Sequence, residues 1–334
     1  MSLAAVPVGT GKMPSAALRC FAWAVLAYFV AVILWGALVR ATGSGAGCGE
    51  HWPLCNGTVV QHSPRMDTII EFMHRVTSGI SFFSAIGLFA WTFAATVRGH
   101  LARAASLAAV VFTLIEAILG ALLVKLGLTA QSQSPLRAPY LALHLANTLL
   151  LLASLTLAAH FLTRTRGYTR NTVCLIAPAG ASAAIITLLI VGVTGSLAAL
   201  GDTLYPASSV AAALAQDFSS TSAWLVRWRW THPAIAFFAS VVVIWLRVCA
   251  SRRSLYWDNS GLSALVLILM GAQYLLGVLD VVLLAPVWLQ VLHLLGADVL
   301  WAALVVLTAR LTLQPAETGL GDQRCERDLE LSLQ

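Results

Sequence analysis

Apolar runs of about 20 residues recur along this 334-residue chain, each long enough to cross a bilayer as a helix. No other feature restricts the fold as strongly. In hydrocarbon every backbone N–H and C=O has to be satisfied within the protein, so a chain made of such runs forms a bundle of spanning helices. Only 10% of its residues are charged and 59% are hydrophobic, whereas soluble domains carry roughly a quarter charged residues. The net charge of +6 does not point to nucleic acid. The basic residues fall between the apolar runs and form no continuous face.

Eight spans are expected, roughly Ala17–Val39, His74–Ala95, Ala104–Leu126, Leu141–Leu162, Val173–Leu197, Pro233–Val248, Leu262–Leu284 and Leu289–Leu311. The sixth is short and is expected to begin earlier, in a tryptophan-rich lead containing Trp224, Trp228 and Trp230, which reads as an interfacial belt. The first run lacks a small-residue cleavage site before it and reads as a retained span. With the N-terminus inside, thirteen Lys and Arg fall on the inner side and seven on the outer, the usual positive-inside bias. Both termini are then cytoplasmic, and the loop holding Cys48 and Cys55 lies outside.

The chain also repeats. EFMHRVTSGISFF is similar to RWTHPAIAFFASV, EAILGALLV to QYLLGVLDV, and LHLANTLLLL to LHLLGADVLW. The expected fold class is therefore an all-α membrane protein of eight transmembrane helices, arranged as two repeat-related four-helix bundles. The halves are residues 1–168 and 169–313, with a polar tail over 314–334.

Each half carries a pair of histidines near the outer ends of even-numbered spans: His74 with His144, and His232 with His293. Ionisable residues within spans are expensive and mark function. Two neutral imidazoles on facing helices supply axial nitrogens for a haem, whose apolar ring suits a bundle core. No cysteine or carboxylate cluster accompanies either pair, as zinc or copper would favour. His51, His62, His100 and His160 have no repeat partners and read as surface residues. Cys48 and Cys55 are either bonded to each other, on an oxidising outer face, or two free thiols. Cys20, Cys174 and Cys249 read as packing residues.

Glu71 stands three residues before His74, on the same helix face. It is either a proton-handling or charge-stabilising group beside the iron, or an interfacial carboxylate paired with Arg75. At the matching place before His232 stands Arg229, so the halves are alike in histidines and unlike in chemistry. Arg40, Arg75, Arg137, Arg227 and Arg229 are either partners for haem propionates or ordinary flanking charge. Glu116, Asp280 and Asp298 are polar groups within or beside spans, either orienting a ligand or packing.

GALVRATGSGAGCGEHWPLCNG, followed by IEFMHR, resembles the haem A synthase family, and the resemblance extends to LHLANTLLLL, THPAIAF and LHLLGADVLW. It implies an enzyme that oxidises the C8 methyl of haem O to a formyl group in steps, giving haem A for terminal oxidases. It implies that His74 and His144 surround the substrate haem and that His232 and His293 ligate a haem b. Glu71 matches the family's catalytic glutamate, and Cys48 and Cys55 match its outer-loop cysteine pair. The implied partners are a membrane enzyme that makes haem O and an electron donor or acceptor of unspecified kind. The implied location is the bacterial cytoplasmic (inner) membrane. Three positions depart from the family pattern. Gly49-Glu50 stands where Pro-Asp is common, Glu116 where Gln is expected, and the second half has no cysteine pair in its outer loop, which some members carry. The rival reading is a membrane electron-transfer protein carrying two b haems.

Overall fold

The computed structural model describes residues 14–58, 64–163, 173–175, 180–251 and 259–315. Among them the chain forms α1 (Ala16–Ala41), α2 (Met66–Ala95), α3 (Leu101–Lys125), α4 (Arg137–Thr163), α5 (Ala181–Leu204), α6 (Val210–Phe218), α7 (Trp224–Arg227), α8 (Thr231–Ser251), α9 (Ser260–Val282) and α10 (Val287–Thr312). Eight segments are long and apolar enough to span a bilayer, with α7 and α8 together supplying the sixth over Trp224–Ser251. The protein is a multi-pass membrane protein. Large side chains that face outward, such as Phe83, Phe237 and Ile268, would be a liability in water and are solvated by lipid here.

Local chemistry sets the helix ends. The Ser15 hydroxyl accepts a hydrogen bond from Leu18 N at 3.2 Å and starts α1. His100 starts α3 in the same way, its Nδ1 accepting from Ala102 N at 3.2 Å. This corrects the surface reading of His100, which is buried. Burial, reinforced by Arg103, pushes its pKa down, which keeps the ring neutral and able to accept. His160 is buried as well, held within α4, and not at the surface. His51 is exposed as expected, and His62 lies outside the described residues.

Two boundaries differ from those expected. The second span begins at Met66, about two turns before His74, because Arg65 and Asp67 are tolerated at a helix start. Val173–Leu175 is not the start of the fifth span but a short strand, β1, antiparallel to β2 (Leu313–Pro315). The helix that follows starts at Ala181, after Gly180, which adopts a positive φ of 92°.

One apolar cluster draws on α1 to α4, and a second on α5, α8, α9 and α10. Trp301 of α10 joins the first of these clusters. It is fully buried, and its indole Nε1 donates to the Leu149 carbonyl of α4 at 2.7 Å. Near the loop that holds Cys48, Arg40 of α1 donates to the Ala199 carbonyl at 2.8 Å, to Thr203 Oγ1 at 2.9 Å and to Gln290 Oε1 at 2.9 Å. One side chain thus ties α1 to α5 and α10. Trp301→Ala should lower stability by about 3–5 kcal/mol, the range for deleting a buried aromatic. Trp301→Phe, which mainly loses the hydrogen bond, should cost about 1 kcal/mol. Thermal unfolding of the detergent-solubilised protein compares the two.

Candidate functional site

The four repeat-related histidines lie at one end of the bundle. His74, His144, His232 and His293 sit about two turns inside the starts of their spans, at Met66, Arg137, Trp224 and Val287. Each lies six to eight residues after its span begins, and as alternate spans the four run in the same direction. Each ring lies against a glycine of the preceding span. A Cβ on Gly36 would stand 3.0 Å from His74 Cε1, and one on Gly195 would stand 2.9 Å from His232 Cε1. Gly120 and Gly277 face His144 and His293 with more room, at 3.8 and 3.5 Å. A glycine inside a helix costs roughly 1 kcal/mol relative to alanine. Here it leaves space for an imidazole between closely packed helices. In α1, Trp35 beside Gly36 donates its Nε1 to the Ile70 carbonyl at 2.9 Å and holds that register.

The second pair is well placed to hold a metal between its rings. The His232 and His293 ring centroids are 6.4 Å apart, with planes at 85°. Metal–nitrogen bonds of about 2 Å and the size of the ring put two imidazoles on opposite sides of one iron at roughly this separation. His232 Nδ1 faces the Val191 carbonyl at 3.1 Å. A carbonyl can only accept, so Nδ1 carries the proton and Nε2 is left with its lone pair, the tautomer a metal requires. Nδ1 of His74, His144 and His293 is buried, with no hydrogen-bond partner among the described residues. No three His, Cys, Asp or Glu side chains converge among those residues. The donor set therefore consists of imidazole pairs, which fit a planar macrocycle that supplies its own equatorial nitrogens.

The first pair lies beneath the cysteine loop. Cys48 and Cys55 form a disulfide, and both are fully buried. Gly47 lets this loop sit directly on α2, since a Cβ there would lie 2.5 Å from the Asp67 and Thr68 backbone. Thr68 Oγ1 donates to the Gly47 carbonyl at 2.8 Å. Glu71 is buried and bridges helix and loop. Its Oε2 accepts from Cys48 N at 2.8 Å, and its Oε1 pairs with Arg75. Arg75 also donates to the carbonyls of His51 at 2.5 Å and Leu54 at 2.8 Å. The pairing with Arg75 foreseen for Glu71 is therefore present. Both carboxylate oxygens point to the loop and the arginine, and neither binds His74.

Arg229, at the matching place in the second half, has an equally defined role. It pairs with Asp202 and Asp217, both at 2.7 Å. Arg137 is buried and donates to the carbonyls of Ala130 and Ser132 at 2.6 and 2.9 Å. With Arg40 and Arg75, four of the five candidate propionate partners are thus engaged by protein groups. Arg227 is exposed. The structure brings a carboxylate to His144 in Glu116, whose Oε1 is 3.5 Å from Nδ1, and a hydroxyl to His232 in Thr194, whose Oγ1 is 3.4 Å from Nδ1. Sequence reading passed over the four glycines, although Gly120 and Gly277 stand in the repeated EAILGALLV and QYLLGVLDV. Their recurrence one turn after Glu116 and Gln273 was the available signal.

Fold and site together define a multi-pass membrane protein with two pairs of half-buried, glycine-backed histidines and a disulfide-bonded loop over one pair. Residues 19–305 match the COX15-CtaA family of cytochrome oxidase assembly proteins, and the chain belongs to that family. It is 43% identical over 299 residues to a protein of Thermus thermophilus named protoheme IX farnesyltransferase, covering 86% of this chain and 47% of that protein. It is 40% identical over 126 residues to a heme A synthase of Alkalihalophilus pseudofirmus, covering 38% of this chain and 40% of that enzyme. A heme A synthase of Exiguobacterium is 39% identical over 124 residues, covering 37% and 38% of the two chains. The chain spans about half the length, or less, of these curated relatives.

The glycine contacts predict a graded series. Gly36→Ala and Gly195→Ala, where a methyl would meet a ring at 3.0 and 2.9 Å, should displace His74 and His232. A cost of about 1–3 kcal/mol is expected, the range for overpacking. Gly120→Ala and Gly277→Ala, at ordinary contact distance, should be neutral or slightly stabilising. Thermal stability of the four purified variants, with the visible spectrum of any bound chromophore, tests the order.

Proposed function

We propose that this chain is a haem A synthase, which oxidises the C8 methyl of haem O to a formyl group and so supplies haem A to terminal oxidases. The supporting observation is the asymmetry between two otherwise matched histidine pairs. One pair lies beneath a disulfide loop that is held by a buried carboxylate of α2, Glu71, and the other has Arg229 in that place. A plain electron carrier with two b haems would need no such difference. Family membership and the names of the shorter-matching relatives agree with the enzyme.

In this reading the chain consists of two repeat-related halves. His232 and His293 hold a haem b, with Val191 fixing the His232 tautomer, and His74 and His144 flank the substrate haem O. Haem b, when bound, supplies one-electron transfer. Converting a methyl to a formyl group is a four-electron oxidation, so protons must also leave. Glu71, held by Cys48 N and Arg75, is positioned to accept a proton or to stabilise positive charge near the substrate edge. The buried disulfide fits an oxidising compartment and, with the distribution of Lys and Arg, supports a loop outside the cytoplasmic membrane and termini inside.

The long Thermus relative suggests a partner. This chain accounts for less than half of a protein named for farnesyl transfer to protohaem, the chemistry that would produce a farnesylated haem substrate. A membrane prenyltransferase is therefore the proposed source of haem O. Among the described residues no three His, Cys, Asp or Glu side chains gather as a metal-bound prenyl diphosphate would call for.

Haem extraction and chromatography test the activity in cells that make haem O, with and without this chain. New haem A supports the enzyme, and unchanged haem types beside a redox-active b spectrum support the carrier. Glu71→Gln keeps an acceptor for Cys48 N and removes the charge. It should yield a folded protein with an intact His232–His293 chromophore and little or no haem A. His232→Ala or His293→Ala should abolish the low-spin b-type spectrum, because the iron loses an axial nitrogen.

A further inference from the structure

The two halves share their histidines and glycines but differ in what lies one turn deeper. In α3, Glu116 precedes Gly120 by one turn, and its carboxylate reaches α4. Oε2 accepts from Asn147 Nδ2 at 2.5 Å, and Oε1 is hydrogen bonded by Thr148 Oγ1. Asn147 also donates to the Phe112 carbonyl at 2.9 Å, which fixes its amide. Asn147 and Thr148 are both buried. Held from both sides, the carboxylate presents Oε1 at 3.5 Å from His144 Nδ1, at the edge of hydrogen-bonding distance. The matching residues of the second half are Gln273, Gly296 and Ala297. There a neutral amide lies where a Cβ on Gly296 would be, with no hydroxyl or amide from the facing helix at those two positions to clamp it.

We infer that Glu116 is a positioning residue for His144: its carboxylate, clamped by Asn147 and Thr148, accepts a hydrogen bond from Nδ1–H of the imidazole when the haem is bound and directs Nε2 at the iron of the first half. This inference rests on the haem reading above. A carboxylate behind a metal-bound histidine fixes its tautomer and raises its donor strength. A negative charge close to the iron also favours the ferric over the ferrous state. In the second half His232 is oriented by the Val191 carbonyl, which carries no charge, and the neutral Gln273 stands where Glu116 does. The first-half iron should therefore be held at the lower potential of the two.

The test uses the purified full chain loaded with haem O and haem b, with redox titration followed optically and by EPR. The first-half component is identified as the one lost in His74→Ala and kept in His232→Ala. Glu116→Gln should retain both haems, raise the midpoint potential of the first-half component, change its EPR g values and leave the second-half component unmoved. Glu116→Ala, which also removes the acceptor, should lower first-half occupancy several-fold. Thr148→Val releases Oε1 without touching the carboxylate and should give a smaller shift of the same sign. It decides the matter if Glu116→Gln does not fold. Wild-type potential and g values in folded Glu116→Gln, or in Thr148→Val where only that variant folds, would overturn the inference. A wild-type protein with no component sensitive to His74→Ala would instead overturn the first-half haem reading, and this inference with it.

Discussion

His74 and His232 are accommodated between tightly packed helices because Gly36 and Gly195 on the neighbouring spans have no side chain. An imidazole in hydrocarbon needs both a partner for its polar atoms and room between helices that otherwise close on each other. Gly36 and Gly195 provide the room where the rings come closest, and Gly120 and Gly277 face His144 and His293 with space to spare. The second pair stands with ring centroids 6.4 Å apart. Trp35 and Arg40, bonding across helices near this layer, hold the registers on which the glycine contacts depend.

On this shared frame the halves are distinguished by single polar residues. Glu71 joins α2 to the disulfide loop through Cys48 N and Arg75, whereas Arg229 pairs with Asp202 and Asp217. Glu116 is clamped against α4, whereas Gln273 lies against a bare glycine. Both carboxylates of the first half are spent partly on structure. Breaking a buried ion pair such as Glu71–Arg75 leaves the other charge uncompensated, at a cost of about 3–5 kcal/mol. Loss of the loop and loss of chemistry are therefore separable only with conservative replacements.

Much of the architecture was legible in the residues. Hydrophobic runs yield eight spans because the bilayer admits only helices of that length. The repeats EFMHRV and RWTHPA, and LHLANT and LHLLGA, mark the histidine pairs without any structure. Boundaries were less legible. The helix containing His74 starts eight residues earlier, at Met66, since a polar first turn looks like loop in a hydropathy profile. Val173–Leu175 is apolar enough to extend the fifth span and instead pairs with Leu313–Pro315, a contact between segments far apart in the chain. His100 and His160 read as surface residues because burial depends on neighbours that local sequence does not show.

The sequence by itself determined a membrane bundle of eight helices, which histidines pair by repeat, and where the halves differ in charge. Each of these depends on composition or spacing along one chain. Tertiary structure decided the partners of the charges. Arg40, which sequence leaves open between a propionate partner and flanking charge, reaches Ala199 and Gln290 on distant helices. Glu71 was placed on the face of His74 by helical spacing alone, and its carboxylate turns to the loop because Cys48 N and Arg75 offer stronger hydrogen bonds there. Glu116, ambiguous in sequence, gained a neighbour in His144 only when α3 packed on α4. Such pairings are long-range and directional, and hydrophobic periodicity carries no information about them.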